Sequence, residues 1–151
     1  MTQTGGRYPG WRPGIELRDD WLGLVPETAI DPQREIVDPH HHLWRHGTPD
    51  APAVYEMDAL WRDTGAGHNV VQTVYIECRS YWDCDAPAHL QSVGETRTVA
   101  QMAAQVPRGQ AQIAGIIAQT ELVLPPDQLH AALDAHEAAG NGLFKGIRNS
   151  G

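Results

Sequence analysis

Four short runs of apolar and β-branched residues, separated by segments with helical spacing, constrain this chain more than any other feature. Arg34 to Val37 leads into Asp38-Pro39-His40-His41-His42. Asn69 to Cys78 (NVVQTVYIEC), Gln112 to Glu121 (QIAGIIAQTE) and Leu143 to Arg148 (LFKGIR) have the same character, so each reads as a strand. Between them, apolar residues recur at i, i+3, i+4 and i+7: Met57, Leu60, Trp61 and Thr64; Val99, Met102, Ala103 and Val106; Leu129, Ala132, Leu133 and His136. Gly65 and Gly67 close the first of these helices, and Pro107 the second. Pro125-Pro126-Asp127 opens the third and Gly140 is its expected stop.

The order is therefore β-α-β-α-β-α-β, with strand starts about 31 to 43 residues apart, against roughly 31 per unit in a (β/α)8 barrel. Alternation of this kind also suits an open doubly wound sheet, but no Gly-rich phosphate loop follows the first strand. The fold expected is α/β, about four βα units forming the N-terminal half of a TIM (β/α)8 barrel over residues 31–151. Residues 1–30, with Trp11, Pro13, Gly14, Trp21 and Pro26, read as an extended arm. The last strand has no helix after it, and parallel strands need cover on both faces. Truncation is the expectation, with a half-barrel that assembles with a second chain as the alternative.

Composition narrows the partners. The net charge is -8, and Lys145 is the only lysine. Binding to nucleic acid depends on Lys and Arg displacing counterions from phosphates, so no nucleic-acid partner is expected. No apolar run approaches the roughly 18 to 20 residues that cross a bilayer, so no membrane partner is expected either. Met1 to Gly14 lacks the apolar core of a secretory signal, and a cytoplasmic protein is the default. Cys78 and Cys84 are too few for a disulfide framework and are read as reduced thiols.

The chemistry concentrates in Asp38-Pro39-His40-His41-His42-Leu43-Trp44. On an extended strand His40 and His42 project to one side and His41 to the other. Two imidazoles so placed can reach one divalent ion or polarise one substrate oxygen. Asp38, on their face, is positioned to accept a ring N–H and select a tautomer. The strand ends on the barrel face where active sites form. Arg148, at the end of the fourth strand, can clamp a carboxylate or make a salt bridge to a part of the barrel missing from this chain, and Glu77 can wall the pocket. His41, His68, His130 and His136 are read as structural, and His46 as a loop residue. The stretch from Arg79 to Gly94, with Tyr81, Trp82, Asp83, Asp85 and His89, is a candidate lid.

From Trp21 onward, IVDPHHHLW, GHNVVQTVYIEC, the VGET of Val93 to Thr96 and FKGIR, in that order, resemble the amidohydrolase-related family (the amidohydrolase 2 branch). The resemblance implies a (β/α)8 barrel that hydrolyses lactones or, in some relatives, decarboxylates or hydrates small carboxylated substrates. It implies a divalent metal, often zinc, although some lactonases of the branch work without one. His40 and His42 match the first-strand metal ligands, and Arg148 matches an arginine that faces a substrate carboxylate. Typical members carry His where this chain has Asn149, and the later histidines and aspartate have no counterpart here. The chain alone is therefore expected to be inactive, as part of a hydrolase that acts on a small-molecule substrate and forms a homo-oligomer. The alternatives are a decarboxylase or hydratase on the same barrel, or a non-catalytic half-barrel.

Overall fold

The structure is a computed structural model that describes residues 19–25, 27–48 and 51–149. Its elements run α1 (Asp19–Leu22), β1 (Glu35–His41), β2 (Trp44–Thr48), β3 (Ala51–Tyr55), α2 (Met57–Thr64), β4 (Asn69–Ile76), α3 (Val93–Ala103), β5 (Gln112–Gln119), α4 (Pro126–Gly140) and β6 (Phe144–Arg148). A single 3₁₀ turn, Ala88–Leu90, precedes α3. Four strands form one sheet in the order β1-β4-β5-β6, and each neighbouring pair is parallel. The expected arm over residues 1–30 lies largely outside the described residues.

Each β-α-β connection is a crossover between adjacent parallel strands. Right-handed crossovers in a sheet whose strands follow chain order place their helices on one face. Packing agrees with this: Leu60 of α2, Val99 and Ala100 of α3, and Tyr75, Ile113 and Ile116 of the sheet share one buried cluster with Leu43. Phe144 of β6 stacks on His136 of α4, with ring centroids 5.5 Å apart. On the opposite face Val37 is 52% exposed and its strand partner Gln72 is exposed. The architecture is thus a two-layer α/β unit with a parallel sheet. No helix among the described residues is long and apolar enough to cross a membrane.

Two local features depart from expectation, and a third fits it. Trp44–Thr48 and Ala51–Tyr55 pair as an antiparallel ribbon where the sequence reads as loop, which puts His46 on a strand. Trp44 and Tyr55 stack across this ribbon, 4.8 Å apart, and aromatic cross-strand pairs of this kind support a two-stranded ribbon. Helix α4 ends at Gly140, the expected stop, but the left-handed conformation (φ 47°) of a helix C-terminus is taken by Asn141 after it rather than by a glycine. Gly140 has a different task. A Cβ there would lie 2.7 Å from the Cβ of Phe144, so only glycine lets α4 approach β6 this closely. The third is His136, read as structural, which is fully buried. Its Nε2 bonds the carbonyl of Gln119 at 3.1 Å, so that nitrogen is the donor, and Nδ1 accepts from the Thr96 hydroxyl at 2.8 Å.

Candidate functional site

β1 is an edge strand, which explains how it tolerates Pro39, a residue with no N–H for a ladder. Asp38 aligns with Thr73 and His41 with Tyr75, so three residue steps on β1 match two on β4. The extra residue is a bulge, and it re-aims the side chains that follow. His41 turns toward the helical layer, is buried, and meets Tyr75 edge-on at 5.6 Å. Alternation sets His40 and His42 on the other side of the chain from His41.

The two rings converge. Their Nε2 atoms lie 3.2 Å apart and the ring planes are nearly perpendicular. His42 Nδ1 lies 2.8 Å from the carbonyl of Ile76. A carbonyl only accepts, so Nδ1 carries the proton and Nε2 of a neutral His42 is a bare lone pair. One proton on His40 Nε2 then bridges the two nitrogens. Two nitrogens at zinc distance, about 2.0 to 2.1 Å in tetrahedral geometry, stand about 3.3 Å apart, so a divalent cation fits where that proton sits. The backbone bond to His42 is the support that metal-binding histidines usually have behind them. The residues present therefore suit a metal. Among the described residues no group of three or more His, Cys, Asp or Glu gathers around one point, so these two imidazoles would be its ligands from this chain.

Asp38 does not act as the sequence pattern suggests. The bulge separates it from the histidine pair, and its Oδ1 accepts the backbone N–H of His40 at 3.0 Å instead of a ring N–H. It thereby shapes the bulge. A cavity of about 350 Å³ opens at this edge, bounded by Asp38, His40, His42, Trp44, Tyr55 and Asp63 among others. His41 borders it too. Its Nδ1 donates to the Val74 carbonyl at 3.1 Å, and its Nε2 has no partner among the described residues. Burial pushes the His41 pKa down to about 4, so the ring is neutral at pH 7.

Glu77 and Arg148 meet at the same end of the sheet. Arg148 Nε donates to Glu77 Oε1 at 2.9 Å and Nη2 to the Glu77 backbone carbonyl at 2.8 Å. Arg148 thus finds its salt-bridge partner within these four strands rather than in a further part of a barrel, and the guanidinium edge it uses is already occupied. Glu77 directly follows Ile76, whose carbonyl holds His42. All four candidate residues therefore stand at the exits of β1, β4 and β6. Asn149, beyond β6, donates to the Thr120 carbonyl at 3.1 Å and to Glu121 Oε2 at 3.2 Å.

Glu95 is the residue that sequence reasoning missed. It is 2% exposed at the start of α3. Its Oε1 accepts from Tyr75 Oη at 2.6 Å, Cys78 N at 2.9 Å and Ser80 N at 3.4 Å, and its Oε2 from Arg79 N and Trp82 Nε1, both at 3.1 Å. These bonds tie down the segment that follows β4, so the expected lid is anchored at its base. Gly94 makes the approach feasible, since a Cβ there would lie 2.7 Å from Asp83 N and Tyr81 O. Cys78 Sγ donates to the Leu43 carbonyl at 3.2 Å, and burial pushes this thiol's pKa up, which keeps it protonated. The signal available in the sequence was an acidic residue in the first turn of a helix after a long loop.

Compared with known proteins, the chain matches no family model, no curated protein and no solved structure.

Proposed function

We propose that the chain forms four consecutive βα units of a (β/α)8 barrel of the amidohydrolase-related kind, whose site hydrolyses a lactone or a similar small carboxylated substrate in the cytoplasm. The observation that carries this reading is the 3.2 Å approach of His40 Nε2 to His42 Nε2, with His42 held from behind by the Ile76 carbonyl. Imidazoles arranged this way at a strand exit bind a cation or donate hydrogen bonds to a carbonyl oxygen.

His40 and His42 would hold a divalent ion, zinc by ligand type, and that ion supplies Lewis acidity toward a carbonyl or an attacking water. The other roles fall to the chain's own side chains. Glu77 orients Arg148, and the guanidinium presents positive charge to a substrate carboxylate near the histidines. The Glu95 cluster keeps the exit of β4, and with it Glu77, in a constant position. Without a metal, protonated ring nitrogens of the same pair would polarise the carbonyl directly. A catalytic zinc site uses three protein ligands, so full turnover belongs to the closed barrel.

The test is ring opening of a panel of carboxylated lactones by the closed barrel, followed by proton release, with and without added zinc. His40→Ala and His42→Ala are compared with His68→Ala, which alters an exposed histidine at the opposite end of the sheet. Hydrolysis lost in the first two variants and kept in the third is the expected pattern. Hydrolysis that ignores both His40 and His42 would sink the assignment.

A further inference from the structure

The pairing of β1 with β4 ends at His41 and Tyr75, so His42 and Leu43 form a two-residue link between β1 and β2 outside any ladder. What fixes this link decides how firmly His42 faces His40. The Ile76 carbonyl accepts the His42 ring proton at 2.8 Å. The Cys78 thiol donates to the Leu43 carbonyl at 3.2 Å. Leu43 is fully buried, where a backbone carbonyl without a donor is costly, and its donor here is a side chain rather than a ladder amide. We propose that Cys78 is a positioning residue for the histidine pair, its S–H holding the link behind His42 so that Nδ1 stays on Ile76 and Nε2 stays on His40. The inference rests on the cation-binding reading of that pair and adds the residue that keeps it assembled.

Cys78 is itself well placed for this task. Its backbone N–H donates to Glu95 Oε1 at 2.9 Å. With the thiol proton committed to Leu43, the sulfur is left to accept, and the Ser80 hydroxyl lies 3.3 Å away. Tyr75 Oη stands 3.6 Å from the sulfur and gives its own proton to Glu95 at 2.6 Å. Tyr75 is also the ring that His41 meets edge-on. His41 and Leu43 flank His42, so both neighbours of that histidine lead back to Tyr75 and Cys78, and through them to Glu95. The saturated cluster is in this way joined to the unsaturated pair. Ile76 and Cys78 are separated by Glu77 alone, so the His42 ring and the link behind it are held by one short piece of backbone. Coordination of a metal by the sulfur would be a different role. The proton given to Leu43 is the one a thiolate ligand would have lost, and among the described residues no group of three or more His, Cys, Asp or Glu gathers around one point.

Nitrogen-15 spectra of the histidine rings before metal is added, followed by zinc and cobalt titrations of the full chain, test the proposal. Cys78→Ala removes the donor, Cys78→Ser keeps one on a shorter bond, and Cys84→Ala alters an exposed thiol as the control. Circular dichroism confirms that each variant folds. In Cys78→Ala the two tautomers of His42 should mix before any metal is added. Zinc affinity should then fall about tenfold, the low end of the loss seen when the hydrogen-bond partner behind a metal ligand is removed. Cys78→Ser should recover part of both effects, and Cys84→Ala should show neither. A Cys78→Ala protein with unchanged tautomer and affinity would overturn the proposal, as would a serine variant no better than alanine. So would a thiolate-to-cobalt absorption that disappears in Cys78→Ala, since Cys78 would then be a ligand. One measurement needs no variant: the Cys78 thiol proton should exchange with solvent more slowly than that of Cys84, and equal rates would contradict the bond to Leu43. Wild-type protein that ignores zinc, while Cys78→Ala still releases the His42 tautomer, would count against the cation site and leave the positioning role standing.

Discussion

Two polar clusters stand at the same end of the sheet, and they differ in what their atoms lack. At the exit of β4, the Glu95 carboxylate is buried and receives five hydrogen bonds, from Tyr75, Cys78, Arg79, Ser80 and Trp82. At the exit of β1, His40 is exposed, and it shares a single proton with His42 across 3.2 Å. The first cluster is saturated and its removal should be felt as lost stability. The second is incomplete, and its removal should be felt as lost binding. Buried polar groups persist in proteins when every member is satisfied, whereas convergent groups with unused capacity are where ligands attach.

The sharpest break with this comparison would come from Glu95→Ala. Five donors would lose a buried acceptor, and we expect a loss of about 4 kcal/mol in urea unfolding. A change below about 1 kcal/mol would mean that the cluster is not the anchor described. His136→Ala comes next. It removes the bonds to Gln119 and Thr96 and the stack on Phe144, and should cost about 3 kcal/mol by the same measurement.

Acid should act in the same direction. Burial lowers the pKa of both His41 and His136 in the folded protein, so the unfolded chain binds protons more readily. Stability from these groups is full above their unfolded value of about 6.5 and is lost progressively as pH falls toward 4. Urea midpoints measured between pH 7 and pH 4 should decline, and His136→Ala should flatten part of the decline. A midpoint constant across that range would contradict neutral burial. Arg148→Ala should cost about 1 kcal/mol or less, because its guanidinium is 43% exposed and solvent weakens the pair with Glu77. The smallest expected effect on stability is that of His40→Ala, within about 0.5 kcal/mol, since the ring is exposed.

How far the sequence anticipated these clusters follows from how local their causes are. Strand and helix order was legible because β-branched runs and 3.6-residue spacing are short-range signals, and β4, β5 and β6 lie within two residues or so of expectation. The convergence of His40 and His42 followed from alternation along one strand. Asp38 was misplaced because alternation fails at a bulge, and the slip against β4 is visible only once the partner strand is present. Glu95 was invisible for a related reason. Its donors come from Tyr75, Cys78, Arg79, Ser80 and Trp82, at least 13 residues away in the chain, and a buried carboxylate cannot be told from a solvated one by its neighbours in sequence. The β2–β3 ribbon was missed because its pairing rests on the stack of Trp44 on Tyr55, a contact across the turn.

Zinc titration of ¹⁵N-labelled protein, read at the histidine ring nitrogens, tests the central claim most directly. His40 and His42 should respond together and through Nε2, with His42 Nδ1 remaining protonated, at zinc concentrations about tenfold or more below those that perturb exposed His68. If the two rings respond separately, or no earlier than His68, the strand exit of β1 is not a cation site and the account built on it fails.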